Sequence, residues 1–526
     1  MASPDKLSSH CVTDAKNVEK RLLSGTFWGA VSFVVQLTQA LLFVPILLKY
    51  WGKDDYGLWI SVNALYSLCR TFDAGHQSFV GNEFCKFYTT DRARLRQILA
   101  SSIYMGLMIG ALQVLFSIAL VSMGYFGPAL GISDSSVDLG LQLAFIFMVL
   151  SWVVYGSVAG ILVKLFAPAG LYSRAVVWGI VLQILQTVTI LAVAIIGRGI
   201  VLALVVSSII QLAQSYLLMY DEYHIFKGLY PFWIGADFSV GFKNFRRSLT
   251  ITVVGFFAQL QSSGIVLAVS SVLGAAAAPL ITTLRTIANM FWQATGFITQ
   301  PLVPELIRYH AQDDKRKIVE TICTFWMVSG MTINMGILIT LPVVETIYMK
   351  WTRHLLTFDL DVYLLLVFAV ALKNFGAPMA TYLVGINNLG YQRVSTGIQT
   401  VVTFAVIGAL IWRLGMEAVG WALVAGELTG SVMAPLMYAV CELNIKGNRL
   451  FIKHAILATG MIAVMGIVFM MIGSGILSPI HGTILGCSAL ILIGTQQWRC
   501  LSLDVRQRLS LSFQAYPLFA GKRSCK

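Results

Sequence analysis

The sequence predicts an all-α integral membrane protein of about fourteen transmembrane helices: two six-helix lobes in pseudo-two-fold repeat, plus two C-terminal helices. Three observations carry this. Of 526 residues, 57% are hydrophobic and only 12% are charged, about half the ~25% charged residues of a soluble domain. The apolar residues cluster in runs near the ~20 residues that a helix needs to cross a bilayer. Finally, polar landmarks of the first half recur in the second at a fixed offset.

The apolar runs lie at 25–48, 56–75, 97–122, 139–163, 171–196, 199–220, 248–272, 278–302, 319–343, 361–386, 395–412, 415–440, 454–472 and 476–498. The first two are joined by a tight turn. The fifth and sixth nearly merge around Gly197-Arg198-Gly199, which reads as a tight outer turn. Helices in lipid pack through small residues, and the 45 glycines suit that. The organisation expected is a lobe over 1–220, a cytoplasmic linker over 221–247, a second lobe over 248–442, two additional helices over 443–498 and a cytoplasmic tail over 499–526.

The net charge of +13 does not point to nucleic acid, because the basic residues sit in short loops between apolar runs. With the N-terminus inside, the outer loops hold only Lys49, Lys53, Arg198, Lys350, Arg353 and Arg413. Arg70, Arg285 and Lys373 lie within spans, and the remaining lysines and arginines fall on the inner side. This asymmetry fits an even number of spans with both termini cytoplasmic, and a frame shifted by one helix would reverse it. Met1–Arg21 is polar and the first apolar run is too long for a signal peptide's core, so that run is expected to be retained as a membrane helix. The eight cysteines show no metal or redox spacing and are expected to be free thiols.

Adding 222 to first-half numbers brings Gln39 onto Gln261, Gly52 onto Gly274 and Leu58 onto Leu280. The same shift brings Glu83 onto Glu305, Lys86 onto Arg308, Phe87 onto Tyr309, Asp91 onto Asp313 and Arg94 onto Arg316. Polar residues are scarce here, so the run from Glu83 to Arg94 is the informative part. Such a pattern predicts parallel lobes related by an axis along the membrane normal.

Ionisable groups at membrane depth cost at least ~2.5–3.5 kcal/mol each, so they face water, a partner or a ligand. Arg70, Asp73 and His76 lie toward the inner end of the second span. Arg70 and Asp73 are three apart and can pair on one face. At 1.5 Å per residue from Tyr56, Arg70 lies roughly 21 Å into a core ~30 Å thick, so both lining a cavity and snorkelling remain open. Arg285 lies among Thr282, Thr283 and Thr286, while Lys373 and Glu427 are near mid-membrane in the tenth and twelfth spans. Lys373 and Glu427 either form a structural ion pair or belong to a cationic cavity between the lobes. Gln36, Gln39, Gln259, Gln261, Ser262 and Ser263 are polar groups suited to bonding sugars or to joining helices. No phosphate loop with its lysine, no histidine pair at metal spacing and no nucleophile elbow occurs, so the reading is of a transporter without an ATPase of its own.

Pro45-Ile46-Leu47-Leu48, Tyr50-Trp51-Gly52, Tyr56-Gly57-Leu58-Trp59, Asp73-Ala74-Gly75 and Asn82-Glu83 together resemble the opening of the polysaccharide-transporter family, the Wzx-type O-antigen flippases. These belong to the multidrug/oligosaccharidyl-lipid/polysaccharide exporter superfamily, with the multidrug extruders and the lipid II flippase. The resemblance implies two six-helix lobes alternating between inward- and outward-open forms in a bacterial inner membrane. It implies a cargo, an undecaprenyl-pyrophosphate-linked oligosaccharide, and partners among membrane lipids and polysaccharide polymerase or ligase machinery. Arg70, Arg285 and Lys373 match the family's cationic lumen in type and helix. Asp73 and Glu427 are candidates for proton or sodium coupling, Gln39 and Gln261 for lining the cavity, and no cofactor is expected. An exporter of organic cations on the same architecture is the runner-up, and a scaffold without transport is the third reading.

Overall fold

The computed structural model describes residues 4–132, 137–299, 302–386, 388–445, 447–503 and 505–507. Its elements are α1 Pro4–Phe87, α2 Arg92–Ser122, α3 Phe126–Leu130, α4 Leu139–Phe166, α5 Tyr172–Ile195, α6 Ile200–Ile225, α7 Phe238–Leu273 and α8 Ala278–Thr299. They continue as α9 Leu302–Ala311, α10 Lys315–Trp351, α11 Leu360–Gly385, α12 Leu389–Leu414, α13 Glu417–Leu443, α14 Arg449–Gly473 and α15 Pro479–Cys500. No strand occurs among the described residues. Twelve helices among them are long and apolar enough to cross a membrane. One of the twelve, Phe27–Phe87, contains both of the first two expected spans. The run expected at 278–302 forms α8, which is not among the twelve. The chain is a multi-pass membrane protein.

Its surface says the same. Leu112, Leu115, Ile456, Met470, Leu492 and Trp412 are each more than half exposed. In water that outer layer would be a severe cost; facing lipid, it has none.

Two compact units divide the chain. The first is Met1–Leu280 with Trp351–Leu356, and the second is Ile281–Lys350 with Thr357–Lys526. In the first, α1 lies against α7, α5 and α2, and α4 against α6. Val80, Phe84, Leu95, Leu99, Leu162 and Phe166 form its main buried cluster. In the second, α12 and α13 pair, α11 packs on α13 and α14, and α14 pairs with α15. Trp326, Phe375, Met379 and Tyr382 lie at the centre of the cluster there, with Trp326 Nε1 donating to the Phe375 carbonyl at 2.7 Å. Helix α7 belongs by packing to the first unit, whereas the sequence repeat assigns it to the second lobe. The reason is close contact with α1: a Cβ on Gly75 would overlap Thr252.

Local geometry repeats at the offset read from the sequence. Gly52 breaks α1 at φ 74° and ψ −174°, and Gly274 ends α7 at φ 87° and ψ 157°. That left-handed, extended backbone favours glycine. The Glu83–Lys86 ion pair at 2.5 Å is matched by Glu305–Arg308 at 3.8 Å. The six cysteines whose side chains are described are all free. Cys11 and Cys525 lie outside those side chains, as does the tail beyond residue 507.

Candidate functional site

In the first unit, Arg70 and Asp73 turn away from each other. Three residues on a helix leave roughly 60° between side chains, and here that is enough to send them to different neighbours. The Arg70 guanidinium is exposed and lies over two rings, 5.6 Å from Trp152 and 5.9 Å from Tyr66. Asp73 is fully buried. Gln77 Nε2 donates to Asp73 Oδ2 at 2.6 Å, and Ser157 Oγ donates to the same oxygen at 3.4 Å. The charge of Lys164 also acts on it. The expected Arg70–Asp73 pair is therefore replaced by a cation on aromatic faces and a carboxyl in an amide–hydroxyl pocket.

That pocket depends on a π-helical stretch of α4, Val153–Ala159. Widening the turn releases backbone carbonyls from the i→i−4 ladder. Gln77 Nε2 donates also to a carbonyl within this stretch, that of Gly156, at 3.1 Å. His76 is buried, with Nε2 3.4 Å from the Ser102 carbonyl, which fits the bland structural role expected of it. Gln39 accepts from Gln183 Nε2 at 2.6 Å, a bond between α1 and α5. Gln261 lies half-buried within a second π-helical stretch, Leu260–Gly264.

In the second unit, α8, α11 and α13 bring three charges together. Lys373 Nζ lies 3.8 Å from Glu427 Oε1, a loose pair in which the lysine side chain stays 34% exposed and the glutamate 9%. The same ammonium sits 4.6 Å above the Trp292 ring. Glu427 also acts electrostatically on Arg285. Arg285 and Trp292 are seven residues apart on α8, which puts both on one helix face. Glu427 accepts from Ser431 Oγ and opens a third π-helical stretch, Glu427–Met433. Here Ser395 Oγ takes the Gly430 carbonyl at 2.8 Å. The sequence left open whether Lys373 and Glu427 pair. They meet, in a loose pair from which Lys373 still reaches solvent-accessible space.

Sequence reasoning missed the aromatic floor beneath each cation: Trp292 under Lys373, and Trp152 with Tyr66 under Arg70. A spacing signal for Trp292 was present, since it follows Arg285 at i+7. It missed Glu222 as well, which is fully buried in α6 with neither carboxylate oxygen hydrogen-bonded among the described residues. No group of three or more potential metal ligands occurs among the described residues.

No protein-family model matches the sequence, and no curated protein matches it. Solved structures do. The chain is similar to the lipid II flippase MurJ in an inward closed conformation, with a TM-score of 0.59 at 12% identity, over 90% of this chain and 99% of that one. A multidrug resistance MATE family transporter of the MOP superfamily, inward-facing, gives 0.55 at 12% identity over 79% of this chain and 96% of that one. Its outward-facing counterpart gives 0.50 at 14% identity over 81% and 96%. At such identities the likeness is one of fold. This protein carries the MATE/MurJ-like fold found in transporters of the MOP superfamily.

Proposed function

We propose that this protein is a flippase that moves an undecaprenyl-pyrophosphate-linked oligosaccharide, a repeat unit of O-antigen, capsule or exopolysaccharide, from the cytoplasmic to the periplasmic leaflet of a bacterial inner membrane. Arg70, Arg285 and Lys373 serve as its phosphate-binding cations. The observation that supports this reading is accessible positive charge at membrane depth: Lys373 is only loosely paired with Glu427 and stays partly exposed, and Arg70 is open on an aromatic face.

The chemistry follows. A pyrophosphate head cannot enter hydrocarbon bare, because desolvating an ion is very costly. Guanidinium and ammonium groups replace its water, and arginine grips phosphate oxygens two at a time. Trp292 holds Lys373, and Trp152 with Tyr66 holds Arg70, through ring faces that take up none of the cations' hydrogen-bond donors. The polyprenyl tail stays in the bilayer throughout. Asp73 and Glu427, the two deep carboxyls on the candidate helices, serve as the proton or sodium sites that reset the cycle. Proximity to a polymerase or ligase would hand on the product.

A cation exporter of the same fold is the rival reading. It is favoured by Asp73 alone, whose carboxyl has no cation within ion-pair distance among the described residues. Deleting the gene separates the two. Lipid-linked repeat units should accumulate on the cytoplasmic side and surface polysaccharide should be lost. Altered drug susceptibility with intact glycan would overturn the flippase reading. Arg285→Ala and Lys373→Ala should keep membrane abundance near normal and cut export by about tenfold or more, the effect of losing one charged hydrogen bond to the cargo. Normal export in both would remove these residues from the mechanism.

A further inference from the structure

A pocket of about 310 Å³ opens where α2 begins, lined by Arg92, Arg96, Gln97, Gly228, Ile234 and neighbouring backbone. Unlike the apolar pocket lined by Phe72, Leu112, Phe116 and Leu249, it is faced by two guanidinium groups. Arg92 makes no ion pair or hydrogen bond among the described residues and is exposed. Arg96 is held: its Nη2 donates to the Tyr230 carbonyl at 2.8 Å, while its Nε is buried with no hydrogen-bond partner. Neither nearby carboxylate lies within ion-pair distance of Arg92 or Arg96 among the described residues. Asp91 accepts from the Arg94 amide at 2.9 Å, and Asp237 accepts from the Ser239 amide at 2.8 Å, each capping a helix. Gln97 Nε2 approaches Asp237 Oδ2 at 3.5 Å. Gly228 completes the cradle, since a Cβ there would overlap the Arg92 guanidinium.

The rim is of a different kind. Leu229 and Phe232 anchor the segment after α6 in the buried cluster. That leaves Trp233 at 50%, Ile234 at 54% and Phe238 at 66% exposure beside the basic pocket. Exposed tryptophan and phenylalanine next to arginine is the composition of a membrane–water boundary. A free anion would need the guanidinium groups but not the apolar rim.

We propose that this pocket binds the phosphate of an anionic membrane lipid, on the side that the charge asymmetry makes cytoplasmic. Arg92 and Arg96 take the phosphate oxygens, and Trp233, Ile234 and Phe238 lie against the glycerol and upper acyl chain. The site shares no residue with the proposed cations Arg70, Arg285 and Lys373 and does not depend on what the cargo is. Its position between α2 and the segment joining α6 to α7 makes it a clamp on that segment.

The test uses the full-length protein in detergent, read by native mass spectrometry with phosphatidylglycerol, phosphatidylcholine or inorganic phosphate added. Wild-type protein should retain phosphatidylglycerol in preference to phosphatidylcholine. Arg92→Ala should weaken that retention about tenfold, Arg92→Lys less, in line with a charge-assisted contact. Trp233→Ala should weaken it too, and Arg449→Ala, an exposed basic change elsewhere, should not. Unchanged retention in both Arg92→Ala and the Arg92→Ala, Arg96→Gln double variant would overturn the site. Displacement of the lipid by an equal concentration of inorganic phosphate would overturn the lipid assignment in favour of a free ion.

Discussion

At the residue scale, the decisive feature is how one acid is shared between two bases. Glu427 touches Lys373 and Ser431 and acts on Arg285. Its side chain is far more enclosed than that of Lys373. A buried carboxylate is held in place by such partners, whereas a partly exposed lysine can rely on water. Glu427→Gln keeps the shape and a hydrogen bond to Ser431 but removes the negative charge. The expected loss is about 1.5–3 kcal/mol, the scale of a hydrogen bond to a charged group, read as a lowered Tm of the purified protein. An unchanged Tm would show that Glu427 is no counter-ion. The pairing of Lys373 with Glu427 was legible in the sequence as one of two alternatives, because both sit at similar depth. Arg70 with Asp73 was the weaker inference, since spacing along one helix says nothing about which neighbours compete for each group.

At the element scale, the π-helical stretches are what the sequence concealed. Val153–Ala159, Leu260–Gly264 and Glu427–Met433 each sit beside or contain a candidate site residue. A one-residue widening leaves no mark in hydropathy, because apolar and polar residues alike tolerate it. Small residues at these places did leave a mark without revealing its meaning. Gly376 on α11 meets the Ser431 carbonyl, inside the stretch that opens with Glu427. Gly376→Ala should therefore push α11 off α13 and destabilise the protein by about 1–3 kcal/mol, as overpacking does. Thermal unfolding would show it, and a wild-type Tm would mean the helices part at no cost. The start of α10 offers a pH test outside the membrane. Asp314 Oδ1 accepts from the Lys317 amide at 3.1 Å and Oδ2 pairs with Lys317 Nζ at 2.8 Å. These contacts hold the Asp314 carboxyl below the usual carboxylate range. A depressed folded-state pKa means that the contribution is present above the unfolded value, about pH 4, and is lost as pH falls through the depressed one. Deuterium uptake at Lys317, corrected for intrinsic rate, should rise below that range in wild type. In Asp314→Asn it should show no such step.

At the scale of the whole molecule, a lipid-compatible exterior and the twelve helices among the described residues that are long and apolar enough to cross a membrane make the bilayer the solvent. Cargo bearing negative charge then has a direction built into its energetics. An inside-negative potential favours outward movement by ~2.3 kcal/mol per charge per 100 mV. In proteoliposomes, imposing that potential with a potassium gradient and valinomycin should accelerate outward flipping of a pyrophosphate-linked lipid. Reversing the gradient should slow it. A rate indifferent to both would disprove a net negative translocated species.

The sequence by itself determined the fold class, the approximate spans, and the repeat at 222 residues. The first two rest on hydrophobicity and the third on the order of polar residues and glycines along the chain, properties that the chain carries before it folds. Gly52 and Gly274 illustrate this: aligned by the offset, both have a positive φ in the structure. What only the tertiary structure decided is partnership. It turned Gln39 to Gln183, set Lys373 over Trp292, and drew α7 by packing to α1. Such choices depend on which helix faces meet, and a chain's own pattern of apolar runs leaves those faces undetermined.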